Sequence, residues 1–202
     1  MLSHLKIKKK LPLKLIATFF LPLTILSAED SRIVFDTIDS QVSSALLNHG
    51  INSSSELIVL SSETTGNVLS ISDEENVTLK LTELQGTVEI YHEWQKRNQH
   101  RVPIEEALNV TASYVLLDTA KITAIFSSGQ PAIDWDNFFI EFPNAPGILR
   151  LSKPGYDKDL LNALIYIEHQ CGIDCGSARF VHLEKKEKLW NVRGSILIWM
   201  AY

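Results

Sequence analysis

Two cysteines, Cys171 and Cys175, are the residues whose type and spacing most clearly suggest chemistry, and the sequence contains no others. They flank Gly-Ile-Asp between two segments of strand-like composition, a pattern that predicts a hairpin. With Ile173 at its centre, Cys171 faces Cys175. Opposed Cα atoms of antiparallel strands lie about 4.5–5.5 Å apart, which a disulfide accepts. A structural disulfide is therefore the favoured interpretation.

Redox catalysis and metal binding are the alternative uses of these cysteines. Disulfide oxidoreductases carry Cys-x-x-Cys at a helix N-terminus, where the thiol pKa is lowered, whereas here three residues separate the cysteines. A metal site would need His169 and His182. However, His182 lies roughly 23 Å from Cys175 if the strand rises about 3.3 Å per residue, and three ligands on an exposed turn form a poor site. No metal site and no cofactor are predicted.

Acid–base chemistry has one plausible location, beside the same hairpin, where Glu168, His169 and Asp174 are close in sequence. A histidine paired with a carboxylate is a common catalytic unit, so these residues define an alternative hydrolase hypothesis. Exposed polar residues that border a turn are the favoured explanation for the three. Asp134 and Asp136 are better explained as a helix N-cap and a first-turn acid. No nucleophile, phosphate-loop or zinc-protease motif is present, so we assign no catalytic residue.

The N-terminal half is predicted to be mainly helical. Apolar residues recur with helical period over residues 33–47. Residues 56–60 and 68–71 suggest two strands joined by a hairpin turn. A helix beginning near Asp73 or Thr82 and ending near Asn98 follows, with Gly86 as a weak point.

The middle of the chain is predicted to contain two strands and a short helix. The strands are residues 114–118 and 122–126, and the helix is residues 134–142, with Asp134 as its N-cap. Its aromatic side chains are expected to pack in the core rather than bind a ligand; they are Trp135, Phe138, Phe139 and Phe142.

The C-terminal third carries the clearest structural pattern. Four strands with short connections are predicted to pair as an antiparallel meander; they span residues 147–152, 161–168, 178–184 and 189–202, the last bent near Gly194. Helices upstream and strands downstream predict an α+β fold, in which the helices pack on one face of the sheet.

The first 28 residues have the pattern of a secretory signal peptide. Five lysines precede a short, mostly apolar run from Leu15 to Leu26, and Ser27-Ala28 precede Glu29. This run is shorter than the roughly 20 apolar residues of a membrane-spanning helix. An uncleaved membrane anchor is therefore the less favoured alternative to a cleaved signal peptide. We therefore predict a signal peptide over residues 1–28 and a single domain over residues 29–202, in the periplasm or secreted, with no stable membrane span after cleavage.

The charge of the mature chain limits its partners. Removing residues 1–28 takes away five lysines and no acids, which leaves 14 basic and 24 acidic residues and a formal charge of −10. Nucleic-acid-binding proteins neutralise phosphates with clustered lysine and arginine. A nucleic-acid partner is therefore not expected.

The segment from Trp135 to Trp199 resembles a family of uncharacterised secreted bacterial proteins. These share a Cys-Gly-x-x-Cys-Gly hairpin followed by a strand with Leu-x-Lys and Trp-x-Val. Residues 84–118 resemble the family more loosely, and Ala178 departs from it where a glycine is expected. The matching positions are Trp135, Phe142-Pro143, Gly147-Ile148, Leu151-Ser152, Gly155-Tyr156, Asp159, 163–167, Cys171-Gly172, Cys175-Gly176, 183–185 and 190–192. The resemblance implies export and a shared fold, and assigns no activity.

Three functional hypotheses remain, and the sequence favours a non-enzymatic role. The first is an exported binding or interaction domain of the cell envelope, whose partner is an envelope protein or a small ligand. The second is a hydrolase with a site near Glu168, His169 and Asp174. The third is an inhibitory or toxin-neutralising partner protein, which the acidic charge would also suit.

Overall fold

The structure is a computed structural model that describes residues 28–50, 57–66, 71–104 and 108–201. Helices and strands are interspersed before residue 142, and only strands follow. The helices are α1 (Ala28–Gly50), α2 (Ile71–Glu83), α3 (Val88–Arg97), α4 (Thr119–Ile125) and α5 (Pro131–Glu141). The strands are β1 (Ile58–Ser61), β2 (Tyr114–Leu117), β3 (Ile148–Leu151), β4 (Gly155–Tyr156), β5 (Asn162–Gly172), β6 (Cys175–Lys186) and β7 (Leu189–Ala201).

These strands form one mixed sheet with the order β2-β1-β3-β5-β6-β7, and β4 pairs beside β5. Strands β5, β6 and β7 are long and pair antiparallel in chain order, as the short connections predicted. Strand β1 instead pairs parallel with both β2 and β3. The α+β class and the antiparallel C-terminal meander are confirmed.

The predicted helical layer on one sheet face is present. Trp94 and Tyr91 of α3 pack against Tyr166 of β5 and Phe180 of β6, with the Trp94 and Phe180 ring centroids 4.6 Å apart. Helix α5 packs its aromatic residues beside Val59 and Ile148, so the prediction that they form core is confirmed; they are Trp135, Phe138, Phe139 and Phe142.

Helix α1 packs on the opposite face of the sheet from α3. Val42 and Leu46 belong to a core cluster with Ile165 and Val181 of the meander. Because successive strand residues point to opposite faces, Ile165 and Tyr166 lie on different sides of the sheet. The long C-terminal strands are therefore buried by helices on both faces along part of their length.

Helix α1 is joined to α3 by a nearly buried ion pair. The Arg97 guanidinium donates to both carboxylate oxygens of Asp39 at 3.0 and 2.9 Å, and also to the Pro154 carbonyl at 2.6 Å. The Tyr156 hydroxyl donates to Asp39 at 2.8 Å. Burial raises the pKa of Asp39, and Arg97 and Tyr156 oppose that rise. Burial and the Asp39 charge raise the pKa of Tyr156, which keeps its hydroxyl a donor.

The predicted strand at residues 122–126 is wrong, because this segment forms α4. Asp118 is the N-cap of this helix, and its side chain accepts a hydrogen bond from the Lys121 amide at 2.7 Å. Such a cap satisfies an amide that the first helical turn leaves without a partner. The cap and the packing of Ile125 in the core therefore outweigh the β-propensity of the segment.

The predicted hairpin between residues 56–60 and 68–71 is also wrong. Strand β1 lies inside the sheet with parallel neighbours on both sides, and Ile71 begins α2. Residues 68–70 lie outside the described residues. The apolar run of β1 is typical of a strand that is buried on both faces.

Two helix boundaries differ from the predictions. The helix predicted to reach Asn98 is two helices, α2 and α3, separated at Gly86, where an added Cβ would lie 2.4 Å from a Leu81 methyl carbon. Asp134 is not the N-cap of α5, since Gln130 occupies that position. Asp134 lies in the first turn and accepts a hydrogen bond from the Ser128 amide at 3.0 Å.

Candidate functional site

Cys171 and Cys175 form the predicted disulfide, with their Cα atoms 5.0 Å apart. The predicted register was wrong, because Gly172 rather than Cys171 pairs with Cys175. Ile173 and Asp174 make a two-residue turn, which is the connection that hairpins prefer. Cys171 is therefore displaced into a bulge, from which it still reaches Cys175.

The structure does not assemble the predicted hydrolase set. Glu168 accepts from Arg150 at 3.4 Å, whereas His169 lies on the other face of β5, with its Nε2 atom 3.2 Å from the Pro146 carbonyl. Asp174 is exposed at the turn. Because neighbouring strand residues diverge, Glu168 and His169 cannot act on one substrate atom.

His182 lies far along β6 from the cysteines and is buried. Its Nε2 atom is 3.2 Å from the Asn162 side-chain oxygen. Burial lowers the pKa of His182 and favours the neutral imidazole. Among the described residues, no group of three histidine, cysteine, aspartate or glutamate side chains is arranged to hold a metal ion.

A cavity of about 680 Å³ lies between the C-terminal end of α1 and the sheet. Helix α1, strands β1, β3, β5, β6 and β7, and the chain just before β3 all contribute to its lining. The lining residues are Leu46, Leu47, His49, Gly50, Leu57, Ile58, Val59, Pro146, Gly147, Leu149, Ile167, His169, Ser177, Arg179, Val181, Val192, Arg193, Gly194 and Ser195.

The walls of the cavity are mainly aliphatic. Leu46 and Leu47 from α1, Ile58 from β1 and Val181 from β6 are all buried in the same core cluster. Polar lining groups are few and are cationic or neutral, and no aspartate or glutamate is among the described lining residues. An apolar cavity with few polar groups is the usual form of a small-molecule site.

Gly147 allows the backbone to pass close to β5 immediately before β3 begins. Its φ angle is +143°, and an added Cβ would lie 2.2 Å from the Gln170 carbonyl oxygen. Glycine is therefore required for the backbone to approach β5 this closely. The same approach brings the Pro146 carbonyl to His169.

The two arginines that line the cavity differ in their surroundings. Arg193 Nε lies 3.4 Å from a Glu184 carboxylate oxygen, and another guanidinium nitrogen donates to Gln85 at 2.9 Å. Arg179 has no such partner within the described part of the chain, and its side chain is exposed. Among the described residues, Arg179 is therefore a lining cation that no neighbouring carboxylate neutralises.

The sequence predictions did not identify this cavity or Arg179. Side chains alternate between the two faces of a strand, so Arg179 lies on the same face of β6 as Val181 and Leu183. A cation at a position where the neighbouring residues of that face are apolar is unusual, and it is the signal that the sequence offered. What that arginine contacts depends on segments distant in the chain, so the alternation alone could not assign a role.

No family model matches the chain, and neither the curated proteins nor the solved structures include one similar to it. Across the described helices, none combines the length and the apolar character needed to cross a membrane.

Proposed function

We propose that this protein is an exported, non-enzymatic binding domain of the cell envelope that holds a small ligand in the cavity beside α1. The cavity itself is the observation that carries this proposal. Its volume of about 680 Å³ falls within the roughly 300–1,000 Å³ of typical ligand pockets. Aliphatic walls supply the free energy of binding by removing apolar ligand surface from water.

The proposal of export has separate support. Residues 1–28 have a signal-peptide pattern, and a disulfide such as Cys171–Cys175 persists mainly in oxidising compartments. The resemblance to secreted bacterial proteins agrees with both. Cleavage after Ala28 would leave α1 its ion pair through Asp39 and its core contact through Val42.

Filling the cavity is expected to abolish binding of an apolar probe. Ile167 is half-buried in the cavity wall, so Ile167→Trp places an indole where the ligand would lie. We expect the variant to bind the neutral dye Nile red at least about tenfold more weakly, a loss of roughly 1.4 kcal/mol. Titration of Nile red fluorescence measures this.

Ile140→Trp is the matched control, because Ile140 is 79% exposed on α5 and does not line the cavity. It should bind the dye as the wild type does. Ser177→Trp provides a second filled cavity in case Ile167→Trp unfolds, which circular dichroism would show. Equal dye binding by the folded cavity variants and the control would refute the proposed ligand site.

The exported form is expected to have one defined mass. Protein recovered from the envelope or medium fraction of its host should have the mass of residues 29–202 less two hydrogens, because the signal is removed and Cys171 is bonded to Cys175. Intact mass spectrometry of the fractions checks both events. A full-length, reduced chain in the membrane fraction would contradict export as a cleaved protein.

A further inference from the structure

Arg179 differs from Arg193, the other arginine that lines the cavity, in its neighbours. It lies in the middle of β6, opposite Ile167 of β5 and Leu197 of β7, and Val181 follows it on the same face. The neighbours of Arg179 on this part of the sheet are therefore aliphatic residues. Arg193, the other lining arginine, is already engaged by Glu184 and Gln85.

The polar groups near Arg179 are suited to an anion. Ser177, two residues before it on the same strand, lines the cavity, as does His169. The Ser177 hydroxyl can donate a hydrogen bond to an anion, whereas His169 Nε2 already lies 3.2 Å from the Pro146 carbonyl. The chain as a whole has a formal charge of −5, so an anionic ligand approaching elsewhere would be repelled, and the local arginine is what makes this cavity favourable.

Helix α1 and strand β1 contribute mainly apolar residues to the cavity. Leu46 and Leu47 of α1 and Ile58 of β1 have exposed fractions between 2% and 6%. These three side chains provide an aliphatic surface for a hydrocarbon chain. One cavity therefore combines a cation at the sheet with an aliphatic wall beneath the helix.

We propose that the ligand is an amphipathic carboxylate, whose aliphatic chain packs against Leu46, Leu47 and Ile58 and whose carboxylate pairs with Arg179. The planar guanidinium matches a carboxylate with two parallel hydrogen bonds. This inference rests on the proposed binding function and names the chemical class of its ligand.

Decanoate and 1-decanol separate the contribution of charge from that of the hydrocarbon chain. By isothermal titration calorimetry of the full chain, below the concentration at which decanoate forms micelles, we expect decanoate to bind about tenfold more tightly than 1-decanol, as a charge-assisted hydrogen bond implies. Arg179→Gln should remove this preference, because it weakens decanoate binding far more than 1-decanol binding. Arg179→Lys should restore part of it.

Arg101→Gln is the matched control, because Arg101 is exposed and does not line the cavity. It changes the net charge equally and should keep the preference for decanoate. A preference that survives Arg179→Gln would overturn the role of Arg179. Equal binding of decanoate and decanol by the wild type would overturn the anionic ligand while leaving the cavity as a binding site. Failure of both probes to bind, together with failure of Nile red, would overturn the proposed function as well.

Discussion

Replacing Asp39 with alanine is expected to lower the free energy of unfolding by about 3–5 kcal/mol, because it leaves a nearly buried guanidinium without its carboxylate. The side chains of Arg97 and Asp39 are only 13% and 15% exposed. Arginine remains charged at any accessible pH. The Tyr156 hydroxyl would lose its hydrogen bond to Asp39 at the same time. Urea unfolding monitored by circular dichroism measures the loss.

Asp136→Ala is the matched control for this experiment, since Asp136 is exposed on α5 and its replacement should change stability by less than about 0.5 kcal/mol. The double variant Asp39→Ala/Arg97→Met should be more stable than Asp39→Ala alone, because it removes the nearly buried positive charge and keeps an aliphatic side chain. An effect of Asp39→Ala no larger than that of Asp136→Ala would show that the ion pair does not hold α1 to α3.

Replacing Trp94 with alanine is expected to cost about 3–5 kcal/mol of unfolding free energy, the usual range for a fully buried tryptophan. Trp94 is 0% exposed and packs edge-on against Phe180. Its indole nitrogen donates to the Ser152 hydroxyl at 2.7 Å, and that hydroxyl also accepts from the Tyr166 amide at 2.9 Å. The variant therefore loses packing and a buried hydrogen bond together.

Trp199→Ala serves as the comparison because Trp199 is 37% exposed on the edge strand β7. We expect it to lose clearly less stability, as part of its surface remains in water in the folded state. Trp94→Phe should fall between the two, since it keeps an aromatic ring and removes the donor to Ser152. Equal denaturation midpoints for Trp94→Ala and Trp199→Ala would contradict the assignment of Trp94 to the centre of this core.

Local sequence patterns were sufficient to predict much of the structure of the C-terminal third. Short connections predicted the antiparallel pairing of β5, β6 and β7, because neighbouring strands joined by tight turns have little choice of partner. The disulfide also followed from sequence, since three intervening residues keep Cys171 near Cys175 in any hairpin. The register at the turn did not follow, because bulges depend on the turn that the backbone adopts.

The N-terminal half shows why local patterns fail elsewhere. Strand β1 has the composition of a hairpin strand, yet its partners are β2 and β3, which follow much later in the chain. Residues 122–126 favour a strand by composition and form α4, because the Asp118 cap and the core position of Ile125 decide the outcome. Tertiary packing overrides weak intrinsic propensities of this kind.

By itself the sequence determined the α+β class, the antiparallel meander, the aromatic core of α5 and the Cys171–Cys175 bridge. Each depends on residues that are close in the chain or repeat with a fixed period. Only the tertiary structure decided the parallel pairing of β1, the ion pair between Asp39 and Arg97, and the cavity that contains Arg179. These features join residues from separate segments, and their contacts exist only after the helices have packed on the sheet.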